Sequence, residues 1–194
     1  MRKLFVLVSL VFLSLSCYAQ SNNKALLSLD FSYSLTSFLS HGWGIGLNYE
    51  RSLFDYLSLK GNFGHMTLTT DIDDVYCTSV HISVFANYYP LGGNLDKLYI
   101  GIGSGCDFMN YFGGGDLPLT TKDTLIHIKP HLGWKFNISK IFMIDVSTGY
   151  KFLISETQNY ENIRDYVNAG LNFGFGFKIL FNQIKKEKQD EQVN

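Results

Sequence analysis

The stretch VNAGLNFGFGFKILF, residues 167–181, alternates between apolar residues and small or polar ones over almost its whole length. The apolar positions are Val167, Ala169, Leu171, Phe173, Phe175, Phe177, Ile179 and Phe181. A period of two residues predicts a β-strand, because successive side chains of a strand point to opposite faces of the sheet. The polar face of a soluble sheet is rich in charged residues, whereas glycine and asparagine dominate here. The pattern therefore indicates an apolar surrounding on one side and a confined space on the other.

Seven more stretches carry the same alternation, so the sequence predicts eight strands. They span residues 25–35, 43–53, 57–68, 76–89, 98–111, 125–136 and 141–154. One set of connections is mostly short, near 54–56, 90–97 and 137–140. The other set includes the two longest, near 37–42, 70–75, 112–123 and 155–165. An even strand number with short turns at one rim and longer loops at the other is typical of outer-membrane barrels. We therefore predict an all-β fold, an eight-stranded antiparallel up-and-down transmembrane β-barrel.

The first residues have the layout of a secretory signal peptide. Arg2 and Lys3 precede an apolar run over 4–15, and small residues lead to a cleavage position after Ala19. Twelve residues make only about 18 Å of helix against a hydrocarbon core of about 30 Å, so this run is too short to span a bilayer. A short uncleaved anchor, or a lipid attached at Cys17, is the alternative.

We expect three segments in the chain: a cleaved signal peptide over 1–19, a barrel domain over 20–181 and a charged, disordered periplasmic tail over 182–194. Without Arg2 and Lys3, 14 basic residues face 17 acidic ones, which gives no sign of a nucleic-acid partner. No other apolar run could cross a bilayer as a helix, whereas a closed barrel pairs every backbone group with a neighbouring strand. We expect the cell outer membrane of a Gram-negative bacterium as the location, with both termini in the periplasm.

Aromatic residues fall near both ends of the predicted strands, where a barrel would meet the two membrane interfaces. Those on the short-turn side are Tyr49, Tyr88, Trp134, Phe136, Phe142, Phe177 and Phe181. Those on the long-loop side are Trp43, Tyr76, Phe108, Tyr150 and Phe152. The sequence thus predicts two aromatic girdles around an apolar band.

Three stretches together resemble a known group: CYAQ at 17–20, IKPHLGWKFNISKIFMIDVSTGYKF at 128–152 and GLNFGFGFKILF at 170–181. The chain is similar to the small eight-stranded outer-membrane barrels of the OmpA/OmpX type, and more narrowly to the β-barrel domain of Bacteroidota outer-membrane proteins. The resemblance implies architecture, outer-membrane lipid and the barrel-assembly machinery as partners, but no activity. Barrels of this group commonly end on an aromatic residue, whereas here a tail follows Phe181.

Charged residues at inward positions predict a polar network in the lumen. Its members are Asp30, Glu50, Lys60, His81, Asp107, Lys129, Asp145, Lys151 and Lys178, with Lys135, His127 and His131 as further inward groups. Counting across the hairpins places Glu50 opposite Lys60 and His81 opposite Asp107. An eight-stranded interior is just wide enough for side chains to fill, and buried charges are costly unless paired. We expect a side-chain-filled lumen, with a small gated ion path as the alternative.

The sequence offers no constellation for a catalytic, cofactor-binding or metal site. His65 lies outward near the loop end of its strand, where a lipid-modifying barrel enzyme would need a serine and an acid beside it. His127 and His131 share a face but lie about 13 Å apart along a strand, too far for one metal ion. Cys77 and Cys106 fall on opposite faces, which argues against a disulfide.

We therefore expect a non-enzymatic outer-membrane barrel without a cofactor, which supports the envelope or presents its loops to a partner. An extracellular or envelope protein could bind through the loops at 70–75, 112–123 and 155–165. A lipid-modifying barrel enzyme is the main alternative. A soluble lipocalin-like barrel, with its apolar faces turned inward, is a third.

Overall fold

The computed structural model describes residues 25–37, 40–70, 76–91, 95, 97–112, 121–154 and 170–180. They form eight strands: β1 Ala25–Ser37, β2 Ser40–Phe54, β3 Leu57–Thr70, β4 Tyr76–Tyr88, β5 Lys97–Phe112, β6 Thr121–Asn137, β7 Phe142–Leu153 and β8 Gly170–Leu180. This part of the chain contains no helix of the length and apolarity needed to cross a membrane. The predicted signal peptide, the tail, residues 71–75 and 155–165, and most of 112–123 lie outside the described residues.

Each strand pairs antiparallel with the next, and β8 pairs with β1, so the sheet closes into a barrel. The predicted fold, an eight-stranded antiparallel up-and-down barrel, is confirmed. We call the rim that contains the connections at 54–57, 88–97 and 137–142 the turn end, and the opposite rim the loop end. Leu26 of β1 lies opposite Leu180 of β8, so both described chain ends are at the turn end.

Large apolar side chains cover the outer surface of the barrel. Every strand contributes at least one that is exposed, for example Phe31, Ile45, Phe63, Ile82, Ile102, Leu132, Val146 and Phe175. Two neighbours in β8 show the contrast between the faces, because Phe173 is 44 % exposed whereas Asn172 is only 5 % exposed. The alternation in the sequence therefore separates an apolar outer face from a polar interior.

Apolar side chains also close off much of the interior near each end, which the sequence analysis did not anticipate. The turn-end cluster consists of Leu26, Tyr89, Leu95, Tyr99, Met143 and Leu180. The loop-end cluster consists of Met66, Leu68, Cys77, Met109 and Leu125, with Leu153 packed against it. Ion-pairing side chains occupy the space between the two clusters.

Two glycines of the barrel wall leave space for interior side chains that belong to the polar networks. A Cβ atom at Gly133 would overlap the ring of Tyr99, and one at Gly176 would overlap the carboxylate of Asp30. Gly61 differs, because a Cβ atom there would meet nothing nearer than a backbone carbonyl oxygen at 4.0 Å. The first two glycines therefore make room for residues of the interior network.

Candidate functional site: the polar interior

Glu50, on β2, is the centre of the polar network nearest the turn end. Its Oε1 accepts hydrogen bonds from Ser58 Oγ at 2.6 Å, Asn87 Nδ2 at 2.9 Å and Tyr89 OH at 2.5 Å. Its Oε2 accepts from Lys135 Nζ at 2.5 Å. The carboxylate is buried, and this many donors offset much of the penalty for removing it from water.

A second ion pair lies against the first. Lys178 Nζ lies 2.7 Å from Asp145 Oδ2 and 3.6 Å from Glu50 Oε2. Tyr99 OH donates to both oxygens of Asp145, at 2.9 and 3.1 Å. Two lysines thus balance two carboxylates, and we call this group, with its Ser, Asn and Tyr donors, the turn-end network.

Lys135 is held by aromatic rings as well as by charge. Its Nζ lies 4.9 Å from the ring centroid of Tyr89 and 4.8 Å from that of Tyr99, and it hydrogen-bonds the Tyr89 hydroxyl. The electron-rich faces of the two rings attract the ammonium, and this attraction is stronger for a buried cation than for a hydrated one. The two tyrosines therefore link the apolar turn-end cluster to the turn-end network.

Aromatic side chains separate this network from a second polar layer. The Phe85 and His131 rings meet edge to face with centroids 5.0 Å apart, and the Tyr99 and His131 centroids lie 5.6 Å apart. His131 Nε2 lies 2.8 Å from Asn87 Oδ1, so it also contacts the turn-end network.

The second layer, which we call the central network, contains two further ion-paired carboxylates. Lys60 Nζ lies 3.0 Å from Asp30 Oδ2. Asp107 is ion-paired with Lys151, and its Oδ2 also lies 3.4 Å from His127 Nδ1. On its other side, His127 Nε2 lies 3.3 Å from a serine hydroxyl, that of Ser83.

A cavity of about 100 Å³ lies within the central network. Among its lining residues are Asp30, Asn48, Lys60, Asn62, His81, Asp107, His127, Lys129 and Lys151. Seven of these nine side chains carry an ionisable group, so the cavity is strongly polar. Its volume is large enough to hold several water molecules.

The structure places the predicted network residues inside the barrel and corrects their expected pairing. Glu50 does lie opposite Lys60 in the register. Lys60, however, bonds Asp30, while Glu50 bonds Lys135 from the far side of the barrel. The predicted cross-strand position of Glu50 and Lys60 is therefore confirmed, but the two do not form an ion pair with each other, because a lysine side chain is long enough to reach a carboxylate two strands away.

The second cross-strand pair, His81 with Asp107, also has the predicted register but other bonding partners. His81 lies opposite Asp107 in the register, and both line the central cavity. Asp107 is instead ion-paired with Lys151 of β7, and His127 Nδ1 of β6 lies 3.4 Å from its Oδ2. The cross-strand position therefore predicted which residues are neighbours, but it did not predict which side-chain atoms form a bond.

Sequence reasoning missed the two tyrosines of the turn-end network. Tyr99 has the same parity on β5 as inward Asp107, so the alternation alone could have identified it. Tyr89 follows the last residue of β4 and continues its pairing through a backbone bond to Tyr56. Strand parity carried through the end of β4 would have found this residue too.

The described residues outside the lumen form no group suited to catalysis or metal binding. His65 is exposed on the outer face, and its cross-strand neighbours are Ile45 and Val80, which supply neither an acid nor a nucleophile. Cys77 is buried in the loop-end cluster, while Cys106 lies opposite an outward isoleucine. No three His, Cys, Asp or Glu residues within the described ranges are grouped so that they could hold a metal ion.

Comparison with solved structures finds the same barrel in several proteins. A major outer membrane protein from Thermus thermophilus matches with a TM-score of 0.59 and 11 % identity, over 83 % of this chain and 100 % of that one. OprG from Pseudomonas aeruginosa matches with a TM-score of 0.53 and 11 % identity, over 83 % and 96 %. Ail, the attachment invasion locus protein of Yersinia pestis, matches with a TM-score of 0.51 and 15 % identity, over 83 % and 100 %.

The protein thus has the architecture of the small closed barrels found in outer-membrane proteins, with an apolar outer face and a packed polar interior. At these identities the likeness establishes the fold alone. No protein-family model matches the chain, and no curated protein sequence matches it.

Proposed function

We propose that this protein is an integral outer-membrane barrel without enzymatic activity, which supports the cell envelope or presents its loops to a binding partner. The observation that carries the proposal is the outer surface, where large apolar side chains are exposed on all eight strands. Monomeric soluble proteins rarely expose continuous apolar surface on this scale, whereas a barrel wall in lipid requires it.

The positions of exposed aromatic residues also support a membrane location. At the turn end they include Tyr49, Tyr88, Trp134, Phe136, Phe142 and Phe177. At the loop end they include Trp43, Phe108, Tyr150 and Phe152. Aromatic girdles of this kind flank the apolar band of outer-membrane barrels. The predicted girdle side chains of Tyr76 and Phe181 lie outside the described part of the structure.

The proposed orientation rests on the connections. Short turns face the periplasm and long loops face outward in bacterial barrels, so the turn end is periplasmic in this proposal. Both termini then lie in the periplasm, and a partner would bind loops 70–75, 112–123 and 155–165. Outer-membrane lipid and the barrel-assembly machinery are the other expected partners. The Bacteroidota barrel domain is the family that we propose on the sequence resemblance.

Fractionation of a Gram-negative host that expresses the full chain tests the proposal. We expect the protein in the outer-membrane fraction, soluble only in detergent, with a gel mobility that changes on boiling because the folded barrel resists detergent. The chain with residues 1–19 deleted is the matched control and should remain in the cytoplasm. Release of the mature protein by buffer alone would contradict the proposal and favour the lipocalin-like barrel.

Planar-bilayer recordings separate a filled lumen from an ion path. We expect the purified barrel to show no large, stable conductance, because apolar clusters and ion-paired side chains occupy the described interior. A 16-stranded porin reconstituted in the same lipid is the positive control, since its lumen is an aqueous channel. A steady current of porin size from this protein would contradict the filled lumen.

A further inference from the structure

The charges between the two apolar clusters do not balance in the described part of the barrel. The carboxylates there are Asp30, Glu50, Asp107 and Asp145, and the lysines are Lys60, Lys129, Lys135, Lys151 and Lys178. Each carboxylate has a lysine of its own, in the pairs Asp30–Lys60, Glu50–Lys135, Asp107–Lys151 and Asp145–Lys178. Lys129 is the lysine that remains.

Lys129 lies in the middle of β6 and lines the central cavity. The ion pairs of the four described interior carboxylates are made with the other four lysines and not with Lys129. Lys60 and Lys151 are close enough to repel it, and the nearby carboxylates of Asp107 and Asp30 are already paired with those two lysines. Lys129 is half-buried, and a lysine in a confined cavity beside two other lysines is stabilised by an anion that offsets its charge.

The cavity also has neutral donors to offer. Asn48 Nδ2 is buried there without a hydrogen-bond partner in the described residues, while Asn48 Oδ1 accepts from Asn62 at 2.6 Å. The hydroxyls of Ser79 and Ser147 are part of the same lining. An ammonium, an amide N–H and hydroxyls form a donor set that suits an anion.

The unpartnered carboxylate oxygen of this region faces the barrel wall. Asp30 Oδ1 is buried and has no hydrogen-bond partner among the described residues, but it packs close to Gly176 of β8. The other Asp30 oxygen is taken by Lys60. Asp30 therefore has one oxygen bonded to Lys60 and the other packed against the wall.

We propose that the central cavity binds one small monovalent anion of about the size of chloride, which neutralises Lys129. The charge selects a monovalent ion, because one lysine is unmatched. The volume of about 100 Å³ is sufficient for such an ion together with water. The site is independent of the envelope role, since it depends on the interior of the barrel alone.

Unfolding of the full chain in detergent tests the site, with sodium chloride exchanged for sodium gluconate at constant ionic strength. Gluconate is a six-carbon anion and is much larger than chloride. A ligand that binds only the folded state lowers the apparent unfolding constant by the factor 1 + [ligand]/Kd. Well above half-saturation, a tenfold rise in chloride should therefore lower that constant about tenfold. Equal unfolding in the two salts would overturn the proposal.

Two variants of β6 assign the effect to the cavity. Lys129→Met should lose the chloride dependence, because it removes the charge that the anion neutralises. Lys122→Met is the matched control, since Lys122 is an exposed lysine on the same strand, and it should keep the full dependence. Chloride dependence that persists in Lys129→Met would refute the assignment.

Bromide in crystals of the unmodified protein gives a reading that does not depend on any variant folding. We expect an anomalous peak within hydrogen-bonding distance of Lys129 Nζ and Asn48 Nδ2. Bromide found only on the outer surface, or a cavity occupied by water alone, would overturn the proposal.

Discussion

Replacing Glu50 with glutamine should destabilise the barrel strongly even though the side chain hardly changes shape. The amide oxygen of the new side chain can still accept from the three neutral donors around Oε1, but Lys135 and Lys178 are left with Asp145 as their only carboxylate within the turn-end network. Breaking a buried pair from one side costs roughly 3–5 kcal/mol of unfolding free energy, because a buried charge loses its partner. We expect a loss near the upper end of that range.

Lys135→Met should cost less than Glu50→Gln. After this change Glu50 still has Lys178 at 3.6 Å and three neutral donors, so we expect a loss of about 3 kcal/mol. The double variant restores the charge balance, and its loss should be only about 1–2 kcal/mol. The resulting coupling energy, several kcal/mol and favourable, would be measured by a double-mutant cycle from denaturant unfolding of the full chain in detergent.

A second cycle, between Glu50 and Lys60, is the internal control. These two residues are cross-strand neighbours, but Lys60 bonds Asp30, so their coupling should be clearly smaller than that between Glu50 and Lys135. If the cross-strand pair coupled as strongly as the pair across the lumen, the contacts that define the turn-end network would be refuted.

Two further substitutions test the faces of the wall. Phe173→Lys should block assembly or destabilise the barrel by about 2–4 kcal/mol, since a lysine at mid-depth on the proposed lipid face is unfavourable. Asn172→Lys, on the inner face, should have a milder effect. The reverse order in a refolding assay would mean that the faces are inverted. Gly133→Ala should lower the free energy of unfolding by about 1–3 kcal/mol, because the new Cβ atom overlaps the Tyr99 ring. Gly61→Ala should be nearly neutral. Equal thermal unfolding of these two variants would contradict the packing of the tyrosine against the wall.

The fold followed from the sequence because the period of two is repeated eight times with turn residues between the repeats. The register of single hairpins followed too, since a short turn fixes which residues lie opposite each other. Glu50 with Lys60, across the tight turn between β2 and β3, is an example. These are local properties, and a linear sequence displays them directly.

The contacts across the lumen could not be obtained in the same way. Lys135 reaches Glu50 from β6 to β2, and this meeting depends on the closure of the barrel and on the stagger of all the strands between them. The inward apolar residues were missed for a related reason. Leu26 and Leu180 share the parity of the polar positions, and only their depth near the turn end makes a cluster of them.

The pair formed by Lys178 and Glu50 has a consequence for how the barrel is assembled. Lys178 belongs to β8 and Glu50 to β2, so their approach skips β1 and requires the seam between the first and last strands to be closed. A one-residue slip at that seam would move the Lys178 ammonium from the lumen to the apolar outer face. An unclosed sheet would leave both an exposed strand edge and unmatched charges. Closure of the barrel and correct register at the seam therefore stabilise the protein together. An incomplete barrel gains little of this stability before the last strand pairs. This favours all-or-none folding of a chain whose most distant strands must meet.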